Sequence, residues 1–417
     1  MSSASATLAA PANSPTATAP LHAGSKAWWR ATWAAAIGGF ATFALLYGVQ
    51  PLMPLFAAQY GLSPAGASAV LSFATLPMAL LLIPASLLAD KVGRTPLMVA
   101  SLAGGVLLSW LAAWSSSFGW LLLWRALFGV LMAGLPALAL SYLSEELAPE
   151  SLGRAVGLYI AANALGGMSG RYLGAVVADA WGLQSGLLAL AALGTVAALL
   201  FWKLLPPSRR FTPRPVSLAS VLADSRSHWR DPGLSRLFVL GFMLMGGFVS
   251  LYNYLGFRLQ AAPFGLSQSA IGLIFLLYVV GMVSSNLGGR WADRYSRRVV
   301  LWKMVALMLP ALLLTLSQSL WLVVAGVALF TFGFFAAHSV AASWVGRRVQ
   351  HARALASAFY LTSYYLGSAF IGSGSGLMWR LDGWLGVAGL IGALLCLCLW
   401  LTWQLRAVEP LPVSHAA

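Results

Sequence analysis

Two arginines fall inside long apolar runs, where a charge is costly. Arg125 lies in the run that follows Gly119, and Arg171 lies in Gly166-Gly-Met-Ser-Gly-Arg171. Insertion scales put an arginine at mid-membrane at about 2.5–3.5 kcal/mol, so such residues are kept for a task. They pair with a counter-charge, hold an anionic group, or snorkel to the interface. Asp and Glu together number only 10, and none sits in the middle of a run. Asp179, eight residues beyond Arg171 and on a similar helical face, is the nearest candidate partner. His338 is the one histidine well inside a run. An imidazole with an ordinary pKa near 6.5 suits a proton carrier, and a hydrogen-bonded packing role is the alternative.

A second group could line a small-molecule cavity. It comprises Tyr47 and Gln50, Asn163, Tyr252, Asn253 and Tyr254, Asn286, and Tyr360, Tyr364 and Tyr365. Aromatic rings with a polar edge suit lipophilic or cationic molecules. Tyrosines near a membrane interface are also ordinary belt residues.

The elements that must position these residues are membrane spans. The chain has 417 residues, 60% of them hydrophobic and 8% charged, with a mean hydropathy of +0.81. A soluble domain carries roughly 25% charged residues, so a soluble fold of this size could not cover its surface. A spanning helix needs roughly 20 apolar residues. Twelve such runs lie near 32–58, 66–89, 96–115, 119–143, 154–178, 183–206, 234–258, 268–291, 299–317, 319–343, 354–380 and 383–406. The expected fold is an all-α membrane protein with twelve transmembrane helices in two six-helix bundles. Residues 1–31 and 407–417 read as tails, 32–206 and 234–406 as the bundles, and 207–233 as a linker. Within the linker Leu218, Val221, Leu222 and Trp229 share a helical face that could lie on a membrane surface.

The formal net charge of +15 is not a nucleic-acid signature, because 21 of the 25 Lys and Arg fall in gaps on one side of the runs. That distribution makes this side, and with it both termini, cytoplasmic. Cys396 and Cys398 are two apart on one helix and so point in different directions. Both are expected to face lipid.

The chain also repeats. Ser86-Leu-Leu-Ala-Asp90-Lys-Val-Gly-Arg94 is echoed by Gly289-Arg-Trp-Ala-Asp293-Arg-Tyr-Ser-Arg297, with the aspartates 203 residues apart. Asp179 and Trp181 return as Asp382 and Trp384 at the same spacing, and Gly61-Leu-Ser63 returns at Gly265. A parallel duplication of this kind is expected of one large transporter class.

These paired aspartate motifs resemble the signature of the major facilitator superfamily. Leu88, Asp90, Lys91, Gly93 and Arg94 fit it, with Ser86 in place of the first glycine, and the second copy keeps Gly289, Asp293, Arg294 and Arg297. Leu46-Tyr-Gly-Val-Gln-Pro51, Gly166–Arg171, Leu251-Tyr-Asn-Tyr254 and Phe257-Arg258 further resemble the YnfM-like (acriflavine-sensitivity) branch. The resemblance implies two halves rocking around a central cavity. It implies that Asp90, Arg94, Asp293 and Arg297 make gating contacts across the halves, a topology anchor being the alternative. Arg125 with Gly129 resembles the family's proton-coupling motif, although Phe128 replaces its polar residue.

The sequence has no phosphate-binding loop and no cluster suited to a metal, so neither a cofactor nor an enzyme activity is expected. The reading is a monomeric secondary transporter in a bacterial inner membrane, a proton-linked exporter of small organic molecules. The alternative is a carrier of a small organic anion or sugar with Arg125 and Arg171 as ligands. Expected partners are a small-molecule substrate, a proton gradient and lipid, with no nucleic acid.

Overall fold

A computed structural model describes residues 19–211, 218–349 and 351–408. Helix dominates, because in lipid every backbone N–H and C=O must be satisfied within its own segment. The helices are α1 (Lys26–Tyr60), α2 (Pro64–Val92), α3 (Arg94–Ala113) and α4 (Phe118–Glu146). A continuous stretch Pro149–Leu204 bends at Gly182, which has a φ of 85°, and so divides into α5 and α6. Then come α7 (Leu218–Arg230), α8 (Pro232–Gln260), α9 (Gln268–Arg294), α10 (Arg297–Leu314) and α11 (Leu320–Arg348). Arg353–Gln404 bends at Asp382 and Gly383 into α12 and α13. Setting α7 aside, the described residues provide twelve helical segments, consistent with the twelve expected spans.

Two crossings are broken, and both breaks matter below. In α1 the regular turns end at Tyr47 and resume at Met53 after a 3-10 turn, Gln50–Leu52. Pro51 and Pro54 lack the N–H that would continue the ladder there. In α9 a 3-10 turn, Phe275–Leu277, separates Gln268–Ile274 from Tyr278–Arg294.

Small residues set the closest approaches. A Cβ on Gly166 would lie 2.1 Å from the Phe40 carbonyl oxygen, and one on Gly367 1.9 Å from that of Phe242. These glycines bring α5 onto α1 and α12 onto α8, equivalent pairs in the two halves, by the small-residue packing typical of membrane helices.

The structure corrects two expectations and adds to a third. Helix begins at Lys26, not near residue 32, and the chain just before it is docked: the Leu21 amide donates to the Glu146 carbonyl at 2.9 Å. The remaining tails, 1–18 and 409–417, lie outside the described residues. Cys396 is exposed, whereas Cys398 is fully buried and does not face lipid. In the linker, Leu222 and Trp229 of α7 are exposed, while His228 is buried against the protein.

His228 stacks on His351 at 5.4 Å, and its Nε2 is buried without a hydrogen bond. Burial pushes its pKa below the ordinary value, and the neighbouring His351 pushes the same way. A bond to the Ala352 backbone and the carboxylates of Asp224 and Asp231 oppose this. The docked state thus favours the neutral ring, so its contribution is complete above the unfolded pKa and is lost as pH falls. Acidification from about pH 7.5 to about pH 5.5 should release α7, read as faster hydrogen exchange across Leu218–Arg230. His228→Phe should flatten that dependence. An exchange rate in the native chain that ignores pH would refute this role.

Candidate functional site

Arg171 is the centre of the most highly connected polar group inside the bundle. The bend at Gly182 and the glycines of α5 bring it against α1, where it is 3% exposed. Its Nε donates to Gln50 Oε1 at 2.8 Å and one Nη to the Gly167 carbonyl at 2.8 Å. The Gln50 amide then donates to Asn253 Oδ1 at 2.7 Å. Asn253 in turn reaches the Gly372 carbonyl at 3.5 Å. This chain runs from α5 through α1 to α8 and α12, joining the halves inside the bundle.

Gln50 can serve both partners because its amide has an acceptor and two donors, and because it opens the 3-10 turn where α1 is broken. Three rings enclose the guanidinium, with Tyr47 at 4.5 Å, Tyr278 at 4.7 Å and Phe275 at 5.3 Å. Phe275 and Tyr278 come from the other half, at the break in α9. Cation–π contact is strong where the cation is desolvated. Asp179, the expected counter-charge, is elsewhere: its carboxylate accepts from the Ser269 amide and hydroxyl. Arg171 is thus held by an amide, a carbonyl and ring faces, and sequence spacing pointed to the wrong partner.

An aromatic wall continues from this cage into the second half. Phe248 stacks on Phe334 at 3.8 Å and meets Tyr278 at 5.6 Å. The Tyr252 hydroxyl bonds Thr331 Oγ1 at 2.8 Å. His338 stacks on Phe334, contacts Tyr364 at 4.6 Å, and places Nδ1 3.0 Å from the Tyr360 hydroxyl. Tyr365 lies within electrostatic reach of both Tyr47 and Tyr159.

Beside this wall lie two further buried polar pairs, Tyr47 with Ser368 and Tyr159 with Asn163. Asn286 stands apart. It is exposed and bonds the Met282 carbonyl of its own helix.

Arg125 is not part of this site. Its Nε donates to the Val70 carbonyl at 3.0 Å and its two Nη to those of Leu45 and Leu46 at 3.1 and 2.8 Å. Leu45 and Leu46 are in the last turn before α1 breaks, where helix carbonyls lose their intrahelical donors. The guanidinium therefore caps the broken helix. The cavity beside it measures about 20 Å³, enough for a water and too small for a substrate.

At the basic end of the bundle Asp90 pairs with Arg94 at 2.8 Å, and Arg94 with Glu145 at 3.0 Å. Asp293 pairs with Arg297 at 2.8 Å and faces Arg347 at 3.6 Å. All of these contacts stay inside one half. The expected contacts across the halves are not formed by these aspartates in this conformation. Cross-half bonds run instead from the opposite end, Asp179 to Ser269, through Ser68 and Ser72 to Ser373, down to Thr362 on the Ala79 carbonyl. The sequence reading missed Glu145, Phe275, Tyr278, Thr331 and Ser368. Tyr278 was within reach of that reading as a polar aromatic in a cavity helix.

The family model for the major facilitator superfamily matches residues 35–263 and again 259–416. The chain belongs to the major facilitator superfamily. It is 43% identical to the inner membrane transport protein YnfM of Escherichia coli over 90% of each chain. It is 38% identical to the MFS-type transporter YybF of Bacillus subtilis, covering 94% of this chain and 97% of that one. The fold is that of a bacterial homologue of the lysosomal transporter Spinster in an inward-facing, occupied conformation (TM-score 0.76, 15% identity, 91% and 96% of the two chains). The resemblance to the YnfM-like branch is therefore met. The protein is a multi-pass membrane transporter for small molecules and not an enzyme.

Proposed function

We propose that this transporter is a monomeric, proton-linked exporter of small organic molecules in a bacterial inner membrane, working by alternating access with both termini cytoplasmic. The observation that carries this reading is the Arg171–Gln50–Asn253 chain, which ties both halves together inside the bundle beside an aromatic wall. With the basic end taken as cytoplasmic, the cross-half bonds at the opposite end describe a carrier closed toward the outside. The ring faces of Phe248, Tyr278, Phe334 and Tyr364 favour lipophilic or drug-like solutes. A neutral solute meets no repulsion from Arg171, whereas a cationic one fits only if contact with the rings outweighs it.

A second reading has its own observation. Arg171 carries a full charge with no carboxylate partner among its hydrogen bonds, so an organic anion could take its free donors, with sugar hydroxyls as the neutral equivalent. The test common to both is flux in proteoliposomes across a panel of cations, anions and sugars, with and without an imposed pH gradient. Saturable, gradient-driven flux is expected. Flux that ignores the gradient would sink the coupling.

For the proton, the reading assigns His338 with Tyr360, an imidazole–phenol pair at the cavity wall. His338→Gln keeps a polar side chain without a titrating ring. It should preserve solute counterflow while abolishing accumulation driven by the pH gradient. Accumulation that survives would move coupling to another group.

A further inference from the structure

We propose that Gln268–Ile274, the outer segment of α9, is the gate of the opposite end. Asp179 latches it across the halves through the Ser269 amide and hydroxyl, and the break at Phe275–Leu277 ties its release to the Arg171 site. This inference rests on the alternating-access reading.

Four observations meet on this short segment. First, Asp179 Oδ2, from the end of α5, accepts from Ser269 N at 3.1 Å and from Ser269 Oγ at 2.5 Å. A carboxylate near the start of a helix also gains from the backbone dipoles there. Second, the Gln268 amide donates to the Pro51 carbonyl at 2.5 Å, so the same segment holds the broken part of α1. Third, Gly272 lies flat on α5, where a Cβ would meet Ala175 Cβ at 2.6 Å. Fourth, the segment ends at the 3-10 turn Phe275–Leu277, whose Phe275, with Tyr278 just after the turn, covers Arg171.

The consequence is mechanical. A helix interrupted by a 3-10 turn has lost one register of its backbone ladder, so its outer part can tilt without carrying the rest. Solute drawing Arg171 away from the rings of Phe275 and Tyr278 removes the contacts that hold the break in place. Asp179 lies on the same helix as Asn163 and Arg171, eight residues on from the latter, so α5 presents both the site and the latch. The inner part of α9, Tyr278–Arg294, does not need to move for the outer part to leave α5.

The test reads accessibility rather than transport. With Cys396 replaced by serine, Ala175→Cys reports the seam under Gly272, and the fully buried native Cys398 reports unfolding. Sealed vesicles of both orientations are treated with a membrane-impermeant maleimide and the two sites are quantified by mass spectrometry. Asp179→Ala should speed labelling at position 175 about fivefold from the side of the opposite end. Ser269→Ala should do so by less, because the amide bond remains. Should Asp179→Ala not fold, Asp179→Asn, which keeps an acceptor and loses the charge, gives an intermediate rate. Cys398 should stay unlabelled throughout. Labelling at 175 that does not change, or that rises only together with Cys398, would overturn the gate. A latch response without flux of any panel solute would reject the transport reading and leave the gate standing. Flux with no latch response would do the reverse.

Discussion

Arg171→Ala is expected to reduce flux about a hundredfold or more while leaving the protein inserted and folded. The guanidinium makes two charge-assisted hydrogen bonds, and such bonds are each worth roughly 1.5–3 kcal/mol. One of them, to Gln50, passes directly into the Asn253 bond across the halves. Removing Arg171 leaves Gln50 Oε1 without its donor and leaves the faces of Tyr47, Phe275 and Tyr278 without their cation. Arg171→Lys keeps the charge but lacks the planar fork that reaches Gln50 and Gly167 together, so it should restore only part of the activity. Gln50→Ala and Asn253→Ala should each show smaller losses. Combining either with Arg171→Ala should add little, as expected of residues in one network.

The same variant separates the two substrate readings. If Arg171 binds an anion, Arg171→Ala abolishes anion binding at equilibrium. If the site takes lipophilic solutes, their binding survives and only flux is lost. Wild-type flux in Arg171→Ala would remove the residue from the mechanism altogether.

How much of this was legible beforehand depended on whether the signal was local. Spans were legible because lipid demands apolar runs, and the halves because Asp90 and Asp293, or Asp179 and Asp382, recur at one spacing. The bends that join α5 to α6 and α12 to α13, at Gly182 and at Asp382–Gly383, fall at gaps between expected runs. Arg171 and Arg125 were visible as charges in the wrong solvent. What each one touches was not visible, because their partners are a side-chain amide, ring faces and backbone carbonyls. None of these stands out in a sequence the way a carboxylate does. Asp179 was misassigned for that reason: in a chain poor in acids it was the natural counter-charge, yet it serves a helix start in the other half. Asn286 shows the converse. Its position in α9 suited a cavity, but it is exposed and bonds the Met282 carbonyl of its own helix, apart from the Arg171 chain.

Arg125→Ala should lower stability far more than it alters substrate recognition. The guanidinium is 3% exposed and satisfies three carbonyls, two of them at the interruption of α1. The regular turns of α1 end at Tyr47 and a 3-10 turn begins at Gln50, so the ladder that would donate to these carbonyls has stopped and Arg125 takes its place. Loss of the side chain strands carbonyls in an apolar setting and opens a void next to Phe128, over whose ring the guanidinium lies at 4.8 Å. A cost of about 2–4 kcal/mol follows from unpaired buried groups, read as a melting temperature several degrees lower in detergent. Lysine brings one point charge in place of three directed donors, so Arg125→Lys should recover less than half of the loss. Solute affinity, measured on the folded fraction, should change little in either variant, because the neighbouring cavity holds no solute. An unchanged melting temperature, or a selective loss of solute binding, would return Arg125 to the substrate site and make the broken helix self-sufficient.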